Sequence, residues 1–472
     1  MTARALTLAV LLALIAPLPA HAAQTMEVGV ADDRLLLGDP GRAAATVTEW
    51  RESGVDTVRI VARWGVYVPD PGARRPPEGF DAGNHEDPRY DWRPLDTAVG
   101  AATGGGLRVM LTVTGWGPVW GSEYPVKGNP RFKPDPERFA EFAKAVATRY
   151  GGLVDRYVLW NEPNITLWFQ PQSQCVRDRC TPYAPHHYRR IVRAADPAIQ
   201  GADPGAEVLV GALAPRGTSG SSANAALRPL RFLRELGCVD RSYRKVRSGY
   251  CKGFRAAPAD GLAYHPHGLK LAPNQPDRVA DQAHLADLSQ VTSTLDRVVG
   301  AGGIRARGTK RLPVYLDEYA YQTKPPDRVL GVPAATQARY LAQSAYLAWK
   351  HPRVRNLTWY VWEDEPENAS GGGWQSGVRY LGGEKKPAFD VFRAPFWAER
   401  ARKGVARLWG QVRPGAGTTV TVERRTGSGW RRVSEEPTDD RGAFRLLVRI
   451  RSKTTFRFRW DGGTSARRAV SP

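Results

Sequence analysis

The chain has 472 residues, of which 42% are hydrophobic and 24% charged, and its formal net charge is +21. This length is enough for a large core and for two domains. The charge comes without a Lys/Arg-rich low-complexity run or a nucleic-acid-binding motif, so nucleic acid is not an expected partner. A solvated basic surface explains the charge, as does one that attracts an anionic cell wall or polysaccharide.

Residues 1–22 have the pattern of a secretory signal peptide. Arg4 gives a positive start, residues 5–16 form a mostly apolar run too short to span a bilayer, and Ala20-His21-Ala22 fits a cleavage site. No second apolar stretch is long enough to cross a membrane. We therefore expect a secreted protein, cleaved near Ala22, and take it to be a monomer.

Eight apolar stretches alternate with helical patterns between residues 23 and 398. The stretches are continuously apolar, which is typical of parallel strands covered on both faces. Strands are predicted at 27–30, 55–61, 107–113, 157–164, 207–212, 261–267, 312–318 and 356–364. Helices are predicted at 40–53, 95–102, 135–150, 186–195, 280–300 and 333–350. Eight such alternations predict a (β/α)8 TIM barrel over residues 23–398.

Two pairs of cysteines lie in the loops of this region. Cys175 and Cys180 bracket a short loop, and Cys238 and Cys251 bracket another. Four cysteines allow three pairings, and in an exported protein we favour these two local disulfides. A four-cysteine metal site is the alternative, although the spacings are not of the C-x-x-C type.

The pattern changes near residue 400. Short alternating runs such as Val420-Thr421-Val422-Glu423 are separated by turns such as Gly427-Ser428-Gly429. This alternation predicts a small antiparallel β-sandwich over residues 402–472. The domain could bind carbohydrate or cell wall, or act as a spacer or as a cap on the barrel.

Acidic residues end two of the predicted strands. The run Trp160-Asn161-Glu162-Pro163 closes the fourth strand, since proline has no N–H to donate to the ladder, and Asp317-Glu318 closes the seventh. Barrel enzymes carry their chemistry at the carboxyl ends of the strands. Two carboxylates there match glycoside hydrolysis, which needs an acid/base and a nucleophile. Asp317 is the alternative to Glu318, because adjacent strand residues face opposite ways.

With these motifs, the region from about 24 to about 398 resembles the retaining glycoside hydrolases of clan A, in the manner of families five and thirty-nine. Trp160-Asn161-Glu162-Pro163 is the most specific element of the resemblance. Asp317-Glu318, Arg59 on the second strand, His265 on the sixth and Trp362 on the eighth support it through their order. The closing domain resembles the immunoglobulin-like appendages of secreted enzymes.

The resemblance implies a role for each of these side chains. Glu162 would be the general acid/base and Glu318 the nucleophile. Asn161 would bind the sugar 2-OH, and Arg59 would keep the nucleophile ionised. The other implied substrate contacts are His265, Trp362 as the floor beneath the scissile sugar, and either Tyr264 or His267 beside the nucleophile. Trp116, in the loop after the third strand, is a further aromatic candidate. No metal or cofactor is implied.

Two other readings compete with a glycoside hydrolase. In the first, His265 and His267 bind a metal in a barrel hydrolase. Barrel amidohydrolases carry their His-x-His pair on the first strand, however, and here that strand offers only Asp32 and Asp33. In the second, the chain is a carbohydrate-binding pseudo-enzyme, which the presence of both carboxylates disfavours.

Overall fold

The computed structural model describes residues 25–177, 179–218, 220, 222–367 and 373–472. The predicted signal peptide lies outside these residues. The strands up to residue 360 are β1 (Glu27–Ala31), β2 (Thr57–Arg63), β3 (Arg108–Thr114), β4 (Arg156–Leu159), β5 (Ser173–Val176), β6 (Arg179–Pro182), β7 (Glu207–Leu213), β8 (Ala257–Ala259), β9 (Gly261–Tyr264), β10 (Ile304–Ala306), β11 (Val314–Tyr319) and β12 (Val354–Tyr360).

Eight of these strands close into a parallel barrel in the order β1-β12-β11-β9-β7-β4-β3-β2, which confirms the predicted fold. Side chains alternate between its two faces. In β3, for example, Val109 and Leu111 pack outward against the helices, whereas Met110 belongs to a separate cluster inside the barrel. The other members of that inner cluster are Val158, Leu209, Ala212, Ala263 and Tyr315.

The helices are α1 (Asp33–Leu36), α2 (Pro40–Glu52), α3 (Trp64–Tyr67), α4 (Arg93–Gly104), α5 (Pro136–Tyr150), α6 (Ala184–Ala202), α7 (Pro229–Leu236), α8 (Leu288–Gly300), α9 (Ala334–Lys350) and α10 (Pro387–Arg393). Helix α5 shows why they form where they do. The Asp135 side chain accepts hydrogen bonds from the first-turn amides, Pro136 opens the helix, and Phe139 and Phe142 are buried.

The sequence patterns located six of the helices and missed the four shorter ones, which are α1, α3, α7 and α10. The helix predicted at 280–300 begins only at Leu288, and α7 lies in a long insertion for which no helix was predicted. Among the helices of the described residues, none is long and apolar enough to cross a membrane.

Both predicted local disulfides are present. Cys175–Cys180 links β5 to β6, and Cys238–Cys251 closes a longer loop after α7. The β5–β6 hairpin lies between β4 and α6, so the first disulfide constrains the loop that follows the Asn161-Glu162 segment.

The C-terminal region forms two antiparallel sheets, as predicted. Their strands are β13 (Phe396–Arg402), β14 (Val405–Gln411), β15 (Thr419–Thr426), β16 (Gly429–Pro437), β17 (Ala443–Arg449), β18 (Thr454–Trp460), β19 (Gly463–Thr464) and β20 (Arg468–Val470). One sheet has the order β13-β14-β17, and the other has β16-β15-β18-β19 with β20 beside β18. Trp409 joins this domain to the barrel by packing against Tyr346 and Trp349 of α9.

Candidate active site

A pocket of about 280 Å³ opens at the carboxyl ends of the barrel strands. This is the edge at which (β/α)8 enzymes carry their active sites. The ends of five barrel strands, β1, β2, β4, β11 and β12, contribute to its wall. The lining residues are Ala31, Asp33, Arg34, Arg59, Val61, Arg63, Asn161, Trp168, Glu318, Tyr360, Val361 and Glu365.

Arg59 organises the bottom of this pocket. Its Nη1 donates to Oε1 of Glu318 at 2.7 Å, and its Nη2 donates to Oδ1 of Asn161 at 2.6 Å. Its Nε donates to Oδ2 of Asp317 at 3.1 Å. The side chain is only 2% exposed, and a buried guanidinium needs such partners. One planar cation therefore fixes three side chains from two strand ends.

Asp317 and Glu318 both reach Arg59 although they are neighbours in one strand. Alternation alone would point them to opposite faces, but the register of β11 against β12 shifts between Leu316 and Tyr319. Glu318 lines the pocket, with 11% of its side chain exposed. Asp317 is fully buried. Of the two carboxylates, Glu318 is the one placed to meet a substrate.

His265 lies between the carboxylates of the fourth and seventh barrel strands. Its Nδ1 is 2.9 Å from Oε1 of Glu162 and 3.4 Å from Oε2 of Glu318. Because both oxygens contact one nitrogen, these two oxygens are at most about 6.3 Å apart, a limit that is compatible with the ~5–5.5 Å between the carboxyl groups of retaining glycosidases and lies just below the ~6.5–9.5 Å of inverting ones.

Charge sets the ionisation of this cluster. Burial alone would raise the pKa of Glu318, but the charges of His265 and Arg59 hold it well below its ordinary value. Burial alone would lower the pKa of His265, but Glu318 and Asp317 raise it to about 10. At neutral pH the structure thus favours a charged imidazolium beside an ionised Glu318. Among the described residues, Glu162 forms an ion pair only with His265, so it has the least counter-charge of the three carboxyl groups.

The backbone around Asn161 is held in an uncommon conformation. Trp160 has φ +75° and Glu162 has φ +43°, both in the left-handed region that bulky residues rarely adopt. Asn161 N–H donates to Oγ1 of Thr114 at 2.9 Å, and Glu162 N–H donates to the Ala212 carbonyl at 2.8 Å. Strain of this kind persists where the surroundings enforce it, and it clusters at functional sites.

The structure distinguishes the two candidates for the position beside Glu318. Nε2 of His267 lies 3.6 Å from Oε2 of Glu318. The alternative that Tyr264 stands beside Glu318 is wrong. Tyr264 is fully buried, and its hydroxyl donates to the Ala283 carbonyl away from the pocket. Tyr264 belongs to the outward face of β9, whereas Ala263 belongs to the inner cluster.

Trp362 also needs correction. It was expected to floor the pocket, but it is 1% exposed and packs behind the barrel against Trp50, Phe389 and Phe392. Strand β12 ends at Tyr360, so alternation no longer sets the direction of side chains beyond it. Tyr360 is the aromatic residue of this strand end that lines the pocket.

Trp116 lies beside the pocket rather than in its wall. Its Nε1 donates to the Leu167 carbonyl at 2.7 Å, and its ring lies 5.9 Å from that of Trp168, which does line the pocket. The guanidinium of Arg63 packs near both rings, at 5.5 and 5.6 Å.

The histidines and Glu318 could also be read as metal ligands. His265, His267 and Glu318 each offer one ligand atom, and these atoms lie within 4.8 Å of one another. His265, however, has Nδ1 against Glu162 and Nε2 3.5 Å from Oδ2 of Asp317. It would have to lose a proton and leave these partners to bind a metal, so the arrangement is primarily one of ion pairs.

Some pocket residues were not predicted from the sequence. Arg63 and Val61 share the inward face of β2 with Arg59, so period-two alternation from Arg59 would have found them. Asp33 and Tyr360 carry weaker signals, because Asp33 lies beyond β1 at the start of α1 and Tyr360 is the last residue of β12. Burial raises the pKa of Asp33 to about 6.

Comparison with known proteins is consistent with this architecture. No family model and no curated protein matches the chain. Its structure is similar to that of a family 39 glycoside hydrolase from Bacteroides cellulosilyticus WH2, with 14% identity, a TM-score of 0.52, and coverage of 92% of this chain and 81% of the other. It is also similar to a glucosidase from Croceicoccus marinus, with 13% identity, a TM-score of 0.52, and coverage of 90% and 94%. The fold is therefore similar to that of clan A glycoside hydrolases, which confirms the resemblance at the level of fold.

Proposed function

We propose that this protein is a secreted, retaining glycoside hydrolase that cleaves O-glycosidic bonds of an oligosaccharide or polysaccharide. The observation that carries the proposal is the contact of one imidazole nitrogen with carboxylates of both Glu162 and Glu318. That contact supports the short spacing that a double displacement requires.

In this mechanism Glu318 attacks the anomeric carbon while Glu162 donates a proton to the leaving oxygen. Arg59 and His265 keep Glu318 charged and therefore nucleophilic. Glu162 then takes a proton from water, and the hydroxide that forms releases the sugar from Glu318. Because Arg59 occupies Oδ1 of Asn161, the amide can direct its Nδ2 donors to the sugar 2-OH.

A panel of aryl glycosides and of plant, fungal and bacterial-wall polysaccharides tests this function. We expect Glu318→Gln to lose turnover, and Glu162→Gln to retain it only on substrates with good leaving groups. Glu207→Gln is the matched control, since Glu207 starts β7 at the opposite end of the barrel. Turnover that is indifferent to both active-site substitutions would contradict the roles. Binding without turnover would favour a pseudo-enzyme.

We also propose that the C-terminal domain attracts an anionic cell wall or polysaccharide. Residues 402–472 contain 17 Lys and Arg against 6 Asp and Glu, more than half of the chain's net charge. On this domain the guanidiniums of Arg425, Arg457 and Arg467 lie 5.7, 4.1 and 5.6 Å from the ring centre of Trp430. Cosedimentation with acidic polysaccharide should weaken as salt rises and should fall further in Arg425→Gln/Arg467→Gln.

A further inference from the structure

Three arginines line the pocket, and they differ in what they are bonded to. Arg59 is bonded to Asp317, Glu318 and Asn161. Arg34 pairs with Glu363 at 3.2 Å. Arg63 has no ion pair among the described residues, and its Nε is buried without a hydrogen-bond partner. Arg34 also has a buried Nε without a partner, but it is bonded through Nη2, whereas the guanidinium of Arg63 has no hydrogen-bond partner among the described residues.

Arg63 is also held in place. Its guanidinium carbon lies 5.5 Å from the ring centre of Trp116 and 5.6 Å from that of Trp168. The Trp116 ring is itself fixed by a hydrogen bond to Leu167. Stacking on aromatic faces orients a guanidinium and leaves its edge donors free, and those donors match the two oxygens of a carboxylate.

The position of Arg63 relates it to the reacting centre. Arg59, Val61 and Arg63 alternate along the inward face of β2, and all three line the pocket. At ~3.3 Å per residue, the backbone of Arg63 lies about 13 Å from that of Arg59 toward the mouth. A group bound by Arg63 would thus belong to a sugar in the pocket and not to the bond at Glu318.

The acidic side chains near Arg63 do not replace such a group. Asp33 interacts with Arg63 electrostatically, but its Oδ1 accepts from the Val61 amide at 3.2 Å and it forms no ion pair with Arg63. Glu365, also in the wall, accepts from the Trp374 amide at 2.9 Å.

From these contacts we infer that the pocket takes an acidic sugar, whose carboxylate or sulfate is bound by the free edge of Arg63. The inference rests on the proposed function, because it names the substrate class of the same site. An anion on the sugar would supply charge-assisted hydrogen bonds to the Arg63 guanidinium, which has no such partner within the described parts of the chain.

Binding to matched oligosaccharide pairs tests the inference independently of turnover. The protein would carry Glu318→Gln, and the probes would be oligogalacturonides and glucuronoxylan oligosaccharides, each beside its carboxyl-reduced form, and sulfated galactan oligosaccharides beside the desulfated form. We expect at least one acidic member to bind about 10- to 100-fold more tightly than its neutral partner, the range for hydrogen bonds to a charged group. The pair that shows the preference distinguishes carboxylate from sulfate.

Adding Arg63→Gln should reduce that preference at least tenfold. Arg131→Gln is the matched control, since Arg131 also stacks on Trp116, at 4.1 Å, but does not line the pocket. It should leave the preference unchanged. If no acidic member binds more tightly than its partner, including the case in which no probe binds, the inference is overturned. A preference that survives Arg63→Gln also overturns it. Turnover of neutral glycosides by the unmodified enzyme would still support the proposed function in either case.

Discussion

Nη1 of Arg59 donates to Oε1 of Glu318 at 2.7 Å, and this contact joins the second barrel strand to the seventh at the bottom of the pocket. The same guanidinium also donates to Asn161, so one side chain positions both Glu318 and the residue beside Glu162. Against the effect of burial, the charges of His265 and Arg59 lower the pKa of Glu318, so the proposed nucleophile stays ionised as the pH falls.

Replacement of the Arg59 guanidinium should therefore change the pH dependence of turnover. Arg59→Lys keeps a charge, but its compact ammonium cannot reproduce the planar fork in which three separate nitrogens meet Asp317, Glu318 and Asn161, so we expect kcat/KM to fall by about 100-fold or more. The pKa of Glu318 should rise, which moves the acidic limb of the kcat/KM profile to higher pH.

Arg156→Lys is the control for this experiment. Arg156 is also a buried arginine in a barrel strand, but it pairs with Glu27 and Glu207 at 2.8 Å at the opposite end. Its replacement should lower the melting temperature without moving the acidic limb. If Arg59→Lys leaves the acidic limb of the kcat/KM profile at the same pH, Arg59 does not lower the pKa of Glu318.

His265 should make stability depend on pH above neutrality. Its pKa in the folded protein is raised to about 10, from an ordinary value of 6.5. The stabilisation from its charge is therefore complete below about pH 6.5 and is lost as the pH rises toward 10. We expect His265→Asn to be destabilised most near neutral pH, with the difference in unfolding free energy shrinking toward pH 10.

His187→Asn provides the matched comparison for that measurement. His187 is equally buried, but burial lowers its pKa to about 3, so it stays neutral throughout this range. Its substitution should cost stability by nearly the same amount at every pH from about 7.5 to 10, where the imidazole is neutral in both the folded and the unfolded state. Parallel curves for the two variants would show that His265 is not a buried cation.

The corrected placement of the aromatic residues gives a paired prediction. Trp362→Phe should lower the free energy of unfolding by about 1–3 kcal/mol through a cavity between Trp50 and Phe392, and leave KM unchanged. Tyr360→Ala should raise KM, because Tyr360 lines the pocket. Denaturant-induced unfolding and steady-state kinetics of both variants test these two expectations. A raised KM in Trp362→Phe would show that Trp362 contacts the substrate after all.

Much of this site could be predicted from the sequence, because the change from apolar to polar residues marks the ends of the strands. Trp160-Asn161-Glu162-Pro163 and Asp317-Glu318 stand where apolar runs stop, and parallel strands bring such points together. The direction of individual side chains was less predictable. Tyr264 faces outward by simple alternation, whereas β11 departs from alternation through its register shift, and Trp362 lies beyond its strand.

Removal of metal separates the favoured chemistry from its alternative. Since both ring nitrogens of His265 lie within ion-pair distance of carboxylates, we expect turnover to survive extensive dialysis against a chelator. Measurement of metal content beside activity checks that removal was complete. Loss of activity that returns with a divalent cation would favour the metal-dependent hydrolase.

Covalent trapping tests the central claim most directly. The protein would be incubated with a set of activated 2-deoxy-2-fluoro glycosides covering neutral and acidic sugars, then digested and analysed by mass spectrometry. If Glu318 is the nucleophile, one sugar should be attached to the peptide that contains it, at Glu318 and not at Asp317. A label on Asp317 or elsewhere would contradict the account, as would no label from the fluoro analogue of a glycoside that the enzyme turns over.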